Sequence, residues 1–322
     1  MDIYSTTFDH IMALPVVQTW PEFQRILKQI VHQRPKHWLL PVKACQAMGG
    51  SVEQVVPAVA AIACAQIGIV LQDDILDDDP RGEYHQLGIA RTANIATAFQ
   101  LASLETVFIL DTQKPANMQA VQSANQMMLV VALGQEMDVL GANTEAAYWE
   151  IVTHKSAAFF GTALHLGALL GGASEKDAAA IKRFGSLYGE MIQIHDDLSD
   201  TLTTPASPDW TQKRTPLPIL FAQIVDHPAR QRFLELYANI SRPGALSEAQ
   251  EILIHCGAVS YCIDQLLLRH LSAHKILEIT QLVNKQPLYE LLNEIIEPVW
   301  NVFNLLGLPP LSPFSTRLAL QG

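Results

Sequence analysis

An all-α fold, built as one large helical bundle, is what this 322-residue sequence predicts, and three observations predict it. No stretch sustains the period-two alternation of a half-buried strand, whereas helix formers at 3.6-residue spacing run throughout. Short Gly/Pro/Asn/Asp clusters divide the chain into segments of roughly 15–30 residues, long against a mean helix of about 11. Several segments are apolar on every face, which marks helices at the centre of a bundle.

Taken in order, the first break is Gly49-Gly50-Ser51, followed by AVAAIACAQIGIVLQ at 58–72. That run is the best candidate for a membrane span. It is shorter than the ~20 apolar residues a span needs, carries Gln66 and runs into aspartates, so it reads as a core helix. Pro80-Arg81-Gly82 ends it. MMLVVAL at 127–133 is apolar all round and closes at Gly141-Ala142-Asn143. AAFFGTALHLGALLGG, 157–172, is a second central helix, stopped by Gly171 to Ser174. LYGEMIQI, 187–194, leads toward a break at Pro205 to Pro208, and a last one falls at Ser241 to Gly244. No linker, low-complexity stretch or charge block intervenes, so residues 1–322 are expected to form a single domain.

Hydrophobic residues make up 49% of the chain and charged ones 16%, below the roughly 25% usual for soluble domains. Much of the surface is therefore polar but uncharged, or covered by a partner. A net charge of −11 argues against nucleic-acid binding, which needs Lys/Arg surfaces. No basic block suggests a membrane-surface patch. Cys45, Cys64, Cys256 and Cys262 lack CxxC spacing and read as reduced thiols, and MDIYSTTFDH lacks the pattern of a signal peptide. A cytoplasmic location is expected.

Two acidic motifs stand out. LQDDILDDDPRGE at 71–83 places Asp73, Asp74 and Asp77 in DDxxD spacing at the end of an apolar run; QIHDDLSD at 193–200 repeats it with Asp196, Asp197 and Asp200. On a helix, i and i+4 share a face about 5–6 Å apart, where like charges repel. One such triplet reads equally as a solvated helix end. Two, each ending an apolar helix, call for a cation between them. Oxygen-only donors suit Mg²⁺, which is held by a few carboxylates plus substrate phosphates. The chemistry to expect is a diphosphate clamped between two carboxylate walls.

With these motifs the chain resembles the trans-isoprenyl diphosphate synthase (polyprenyl synthetase) family. The resemblance continues at Gln46 to Gly50 (AxxxGG), Gly134-Gln135-Glu136-Met137-Asp138-Val139 (GQxxDL), Lys155-Ser156 (KT) and Gly257-Ala258. Phe184 to Asp200 matches FGxxLGxxFQIxDDxxD, so order and spacing hold over residues 30–280. The resemblance implies the class I terpenoid synthase fold, with a central cavity between the two DDxxD helices, and a homodimer. It implies that Asp73, Asp74, Asp77, Asp196, Asp197 and Asp200 bind Mg²⁺, three ions per site. Lys155 would contact an allylic diphosphate, Gln193 would face the reacting carbons, and Asp73 and Asp196 would be catalytic.

The second family substrate, isopentenyl diphosphate, occupies a basic pocket built from GKxxRP, RRG and a His or Gln. Here those positions hold Arg34, Lys36 and His37, then Arg81 without its arginine partner in a loop two residues shorter, then Gln66. Later, KxTLP becomes Lys213-Arg214-Thr215-Pro216-Leu217-Pro218, leaving open whether Lys213 or Arg214 is the equivalent. An arginine fork replaced by histidine is not conservative at a diphosphate. Chain elongation is the leading expectation. The alternatives are a different acceptor, either an internal double bond or a peptide or indole nucleophile, and a non-catalytic subunit of a heteromeric synthase. Family products grow past residues four and five before DDxxD, here Ile69 and Gly68, with Ala65 a turn below; none is aromatic, so a C15–C20 or longer prenyl chain is expected. Phe99 and Met128 are candidates for closing the tunnel lower down.

Overall fold

The computed structural model describes residues 2–111 and 113–305, and residues 306–322 of the expected single domain lie outside the described residues. The described residues form helices and connecting turns, with no strand among them. In chain order these are α1 (Ile3–Met12), α2 (Pro15–Gln18), α3 (Pro21–Gln33), a 3₁₀ turn (Lys36–Leu39), α4 (Leu40–Ala47), α5 (Val52–Leu76), α6 (Tyr84–Leu87), α7 (Ile89–Phe108) and α8 (Pro115–Leu140). Then come α9 (Glu145–Val152), a π-helical turn (Thr153–Ala157), α10 (Ala158–Leu170), α11 (Glu175–Leu202), α12 (Pro208–Thr211), α13 (Leu217–Ile224), α14 (Arg230–Ala238), α15 (Ala245–His255), α16 (Ala258–Ile279) and α17 (Gln286–Leu305).

The long helices α5, α8, α10 and α11 surround the centre. Helix α5 starts at a capping box, in which Ser51 and Gln54 satisfy each other's backbone N–H groups. It is buried on every side from Val55 to Gly68 except at Gln66 and Pro57, as its all-round apolar sequence requires. One expectation needs correction here. The apolar run at 58–72 belongs to a 25-residue helix, long and apolar enough to cross a membrane, with 72% of its most apolar window buried inside the bundle. A second, smaller core of Trp210, Ile219, Phe233, Leu236 and Leu253 fixes α12 to α15 beside the main one.

Close helix approach is what positions the site. A Cβ at Gly134 on α8 would lie 2.7 Å from the backbone carbon of His154, and one at Gly189 on α11 would lie 2.6 Å from the Ser156 carbonyl oxygen. Both glycines therefore let α8 and α11 close on the π-helical turn that carries Lys155.

Candidate active site

A cavity of about 440 Å³ opens between the carboxyl-terminal ends of α5 and α11. From α5 and its C-cap come Gln66, Ile69, Val70, Asp73 and Asp77, spaced three, one, three and four residues apart along one face. Helix α11 answers with Ile192, Gln193, Asp196, Asp197 and Asp200. The two acidic motifs thus share one cavity.

Lys155 stands between the walls. Its Nζ donates to Asp138 Oδ2 at 2.5 Å and to Asp73 Oδ1 at 3.4 Å. Gln135 Nε2 donates to the same Asp73 oxygen at 3.2 Å. Burial alone would lower the Lys155 ammonium, but Asp73 and Asp138 outweigh it and hold its pKa above the ordinary value. Burial pushes Asp73 up, with Lys155 opposing. Asp196 is raised to about 6 by burial, then by Asp197 and Asp200. These are anions gathered in a half-enclosed space with too little positive charge to balance them.

Ser156 Oγ, in the π-helical turn, donates to Gln193 Oε1 of α11 at 2.6 Å, and Gln193 Nε2 donates to Asp197 Oδ1 at 2.9 Å. The other Asp197 oxygen accepts from Tyr148 Oη and from the Leu217 amide, both at 2.7 Å. The expectation that Asp197 binds metal is corrected by this arrangement: both oxygens are taken by protein donors, and the residue ties α11 to α9 and α13. Asp74 also leaves the wall and stands beside the Gly82 turn, where a glycine Cβ would lie 3.0 Å from its own Cβ. Burial and its neighbour Asp79 raise it to about 6.

Arg214 and Lys213 are separated by the fold. Lys213 takes a left-handed backbone (φ 63°) and turns outward over the Tyr237 ring, while Arg214 lines the cavity in an ion pair with Asp77. Arg214 is therefore the member of the pair at the site. Of the residues expected in the basic pocket, His37 and Gln66 line the cavity. Arg34, Lys36, Arg81 and Lys213, expected in the basic pocket, do not line this cavity. The Arg34 side chain is 58% exposed, ion-paired with Asp2 at 2.8 Å and folded over Tyr4. Lys36 is exposed. Arg81 is 86% exposed and paired with Asp79, though it still feels the charge of Asp200. Of the chain-length candidates, Ile69 lines the cavity, whereas Gly68 packs on α7 and Ala65 is fully buried. Phe99 is also fully buried and stacks on Phe23, and neither Phe99 nor Met128 lines the cavity.

Sequence reasoning assigned no role to Asp138, Tyr148 or Asp209, which all line the cavity. Asp138 was visible inside the GQxxDL match. Asp209, raised to about 7 by burial and then by Asp197 and Asp200, sits on the short α12 after a proline-rich loop and carried no periodic signal.

Fold and site together define a class. Geranylgeranyl pyrophosphate synthetase from Geoglobus acetivorans superposes with a TM-score of 0.75 at 20% identity, covering 92% of this chain and 95% of that one. A decaprenyl diphosphate synthase from Rhodobacter capsulatus superposes with a TM-score of 0.78 at 19% identity, covering 92% and 95%. The fold is thus that of the all-α terpenoid synthases. The model of the Polyprenyl synthetase family matches residues 21–253, and the chain belongs to that family and is a prenyltransferase. It is 26% identical over 237 residues to a short chain isoprenyl diphosphate synthase of Methanothermobacter thermautotrophicus, covering 69% of this chain and 73% of the relative. It is 27% identical over 173 residues to a geranylgeranyl diphosphate synthase of Methanosarcina mazei, covering 51% and 53%.

Proposed function

We propose that this prenyltransferase is Mg²⁺-dependent and ionises an allylic diphosphate held between its two aspartate walls. The observation that carries the reading is the meeting of Asp73 and Asp77 with Asp196 and Asp200 across one cavity, with Lys155 between them. The donor set is carboxylate oxygen, which suits Mg²⁺. Among the described residues no three His, Cys, Asp or Glu side chains converge tightly enough to hold a metal alone. Asp73 and Asp77 would hold the ions on one wall and Asp196 and Asp200 on the other, three in all. Bound Mg²⁺ would neutralise charge on the leaving diphosphate. Lys155 would bind a diphosphate oxygen, with Asp138 fixing its ammonium, and the Ser156–Gln193–Asp197 chain would keep the Gln193 amide turned to the substrate.

Membership of the Polyprenyl synthetase family supports isopentenyl diphosphate as acceptor, and the names of the relatives support a prenyl diphosphate of C15–C20 or longer as product. Four free cysteines support a reducing, cytoplasmic location, and apolar side chains standing out of α7 and α8 support a homodimer.

The direct test follows diphosphate release from labelled C10–C20 allylic diphosphates with Mg²⁺, with and without isopentenyl diphosphate. Wild-type protein should release diphosphate, and Asp73→Asn should slow release by roughly 10²-fold or more. Release unaffected by Asp73→Asn, or by chelation of Mg²⁺, would remove the reading.

A further inference from the structure

We propose that the length of the prenyl chain is set by Phe159 and Phe160 at the start of α10, which form the floor of the cavity, in place of residues in the seam between α5 and α7. The proposal rests on the reading above and names the specificity-determining residues of that same site.

Each long helix presents its charged group at one end of the cavity and leaves the lining soon afterwards. On α5 the lining runs from Asp77 back to Gln66, on α8 from Asp138 back to Val131, and on α11 from Asp200 back to Ile192. On α10 it ends at Phe160. At 1.5 Å per residue, Gln66 and Val131 lie about 10 Å beneath Asp73 and Asp138. By the same measure Phe160 lies roughly 7 Å beneath Lys155. Between these levels the wall is apolar, with Ile69, Val131, Ile151, Val152 and Ile192 facing the space. A diphosphate fixed among the aspartates and Lys155 therefore directs its hydrocarbon tail down this wall.

The seam where the family resemblance placed the limit is filled. A Cβ at Gly68 would lie 2.8 Å from Gln100 Cγ, and Gln100 Nε2 donates to Gln72 Oε1 at 2.9 Å, so α7 lies tight against α5. Ala65 and Phe99 are fully buried, and Phe99 stacks on Phe23 with ring centres 3.7 Å apart.

The floor is braced from several elements. Phe159 and Phe160 are both buried yet line the cavity, and their rings meet edge-on with centroids 5.3 Å apart. Phe160 also meets His37 of the 3₁₀ turn edge-on at 5.0 Å and Tyr188 of α11 at 5.6 Å. Behind it α11 comes close, since a Cβ at Gly189 would lie 3.0 Å from Phe160 Cβ. The next turns of α10 and α11 hold Leu164 and Phe184, both fully buried. Edge-to-face contacts of this kind fix a ring's orientation, so Phe160 resists an apolar chain pressing on it. Each condensation adds five carbons beside the diphosphate and drives the distal end of the chain deeper by that length. The chain whose end touches the floor is the last that fits.

The test incubates the full-length protein with Mg²⁺, isopentenyl diphosphate and labelled farnesyl diphosphate, and sizes the products by mass spectrometry. In parallel, diphosphate release from C10, C15 and C20 allylic diphosphates gives kcat/KM for each, a readout that holds even without elongation. Phe160→Ala and Phe159→Ala should lengthen the longest product by at least one C5 unit and raise the C20-to-C10 ratio of kcat/KM roughly tenfold. Phe160→Leu, which keeps more of the packing, should shift both readouts in the same direction. Phe99→Leu should shift neither. Unchanged product length and ratio in folded Phe160→Leu, or longer products from Phe99→Leu alone, would overturn the proposal while leaving ionisation intact. No diphosphate release from any allylic diphosphate would overturn ionisation and the proposal together.

Discussion

Asp197 and Asp196 are sequence neighbours with opposite treatment. Three protein donors bind the Asp197 carboxylate, while Asp196 faces the cavity without any of them. DDxxD spacing shows that carboxylates cluster, but not which of two adjacent ones rotates inward. The same limit explains Arg34 and Lys213, whose left-handed backbones swing their side chains off the wall. Register along the chain locates such residues without giving their direction. A prediction at this scale concerns His165, which pairs with Ser123 Oγ at 3.0 Å away from the cavity. Burial, then the charge of Lys182, pushes its pKa down to about 4. An unfolded histidine titrates near 6.5. Below that value the unfolded chain takes up a proton that the folded one refuses, so stability should fall as pH drops from about 6.5 to about 4. Melting temperature followed over this window should decline less steeply in His165→Gln; an equal slope would show that His165 carries none of it.

Helices were the most legible elements because their apolar periodicity spans many residues; the apolar runs at 58–72 and 157–172 lie in the buried helices α5 and α10, whereas the run at 127–133, expected to be buried all round, leaves Leu129 and Leu133 of α8 more than half exposed. Faces were less legible. Gly68 and Ile69 are adjacent on α5, about 100° apart around the helix, and both stood as chain-length candidates. Ile69 reaches the cavity, while a Cβ at Gly68 would lie 2.9 Å from the Ala96 carbonyl oxygen on α7. Gly68→Ala should therefore destabilise the protein by about 1–3 kcal/mol in denaturant titrations without changing the product. Ile69→Phe should narrow the range of prenyl chains accepted. A changed product in Gly68→Ala would return that glycine to the cavity wall.

For the molecule as a whole, the low fraction of charged residues pointed to covered surface. Leu101 and Phe108 on α7 and Leu129, Leu133 and Leu140 on α8 are each more than half exposed. Large apolar side chains repeated on adjoining helices mark an interaction face. A second copy of the chain is the occupant proposed above. Light scattering on the purified protein should give the mass of a dimer, and Leu129→Glu with Leu133→Glu should give a monomer. A monomeric wild-type protein would refute this assembly.

The π-helical turn at Thr153–Ala157 has a geometric consequence for the cavity wall. Tyr148, Val152, Ser156 and Phe160 all line it, as do Ile151, Lys155 and Phe159, and each row repeats every fourth residue. At 3.6 residues per turn such a row slips about 40° around the axis at each repeat and would spiral off the cavity within three. One wide turn, closed by i→i+5 bonds, absorbs that slip. The widened turn acts as a phase correction, keeping the ring that holds Asp197, the lysine at the diphosphate end and the phenylalanines at the far end on a single line of sight.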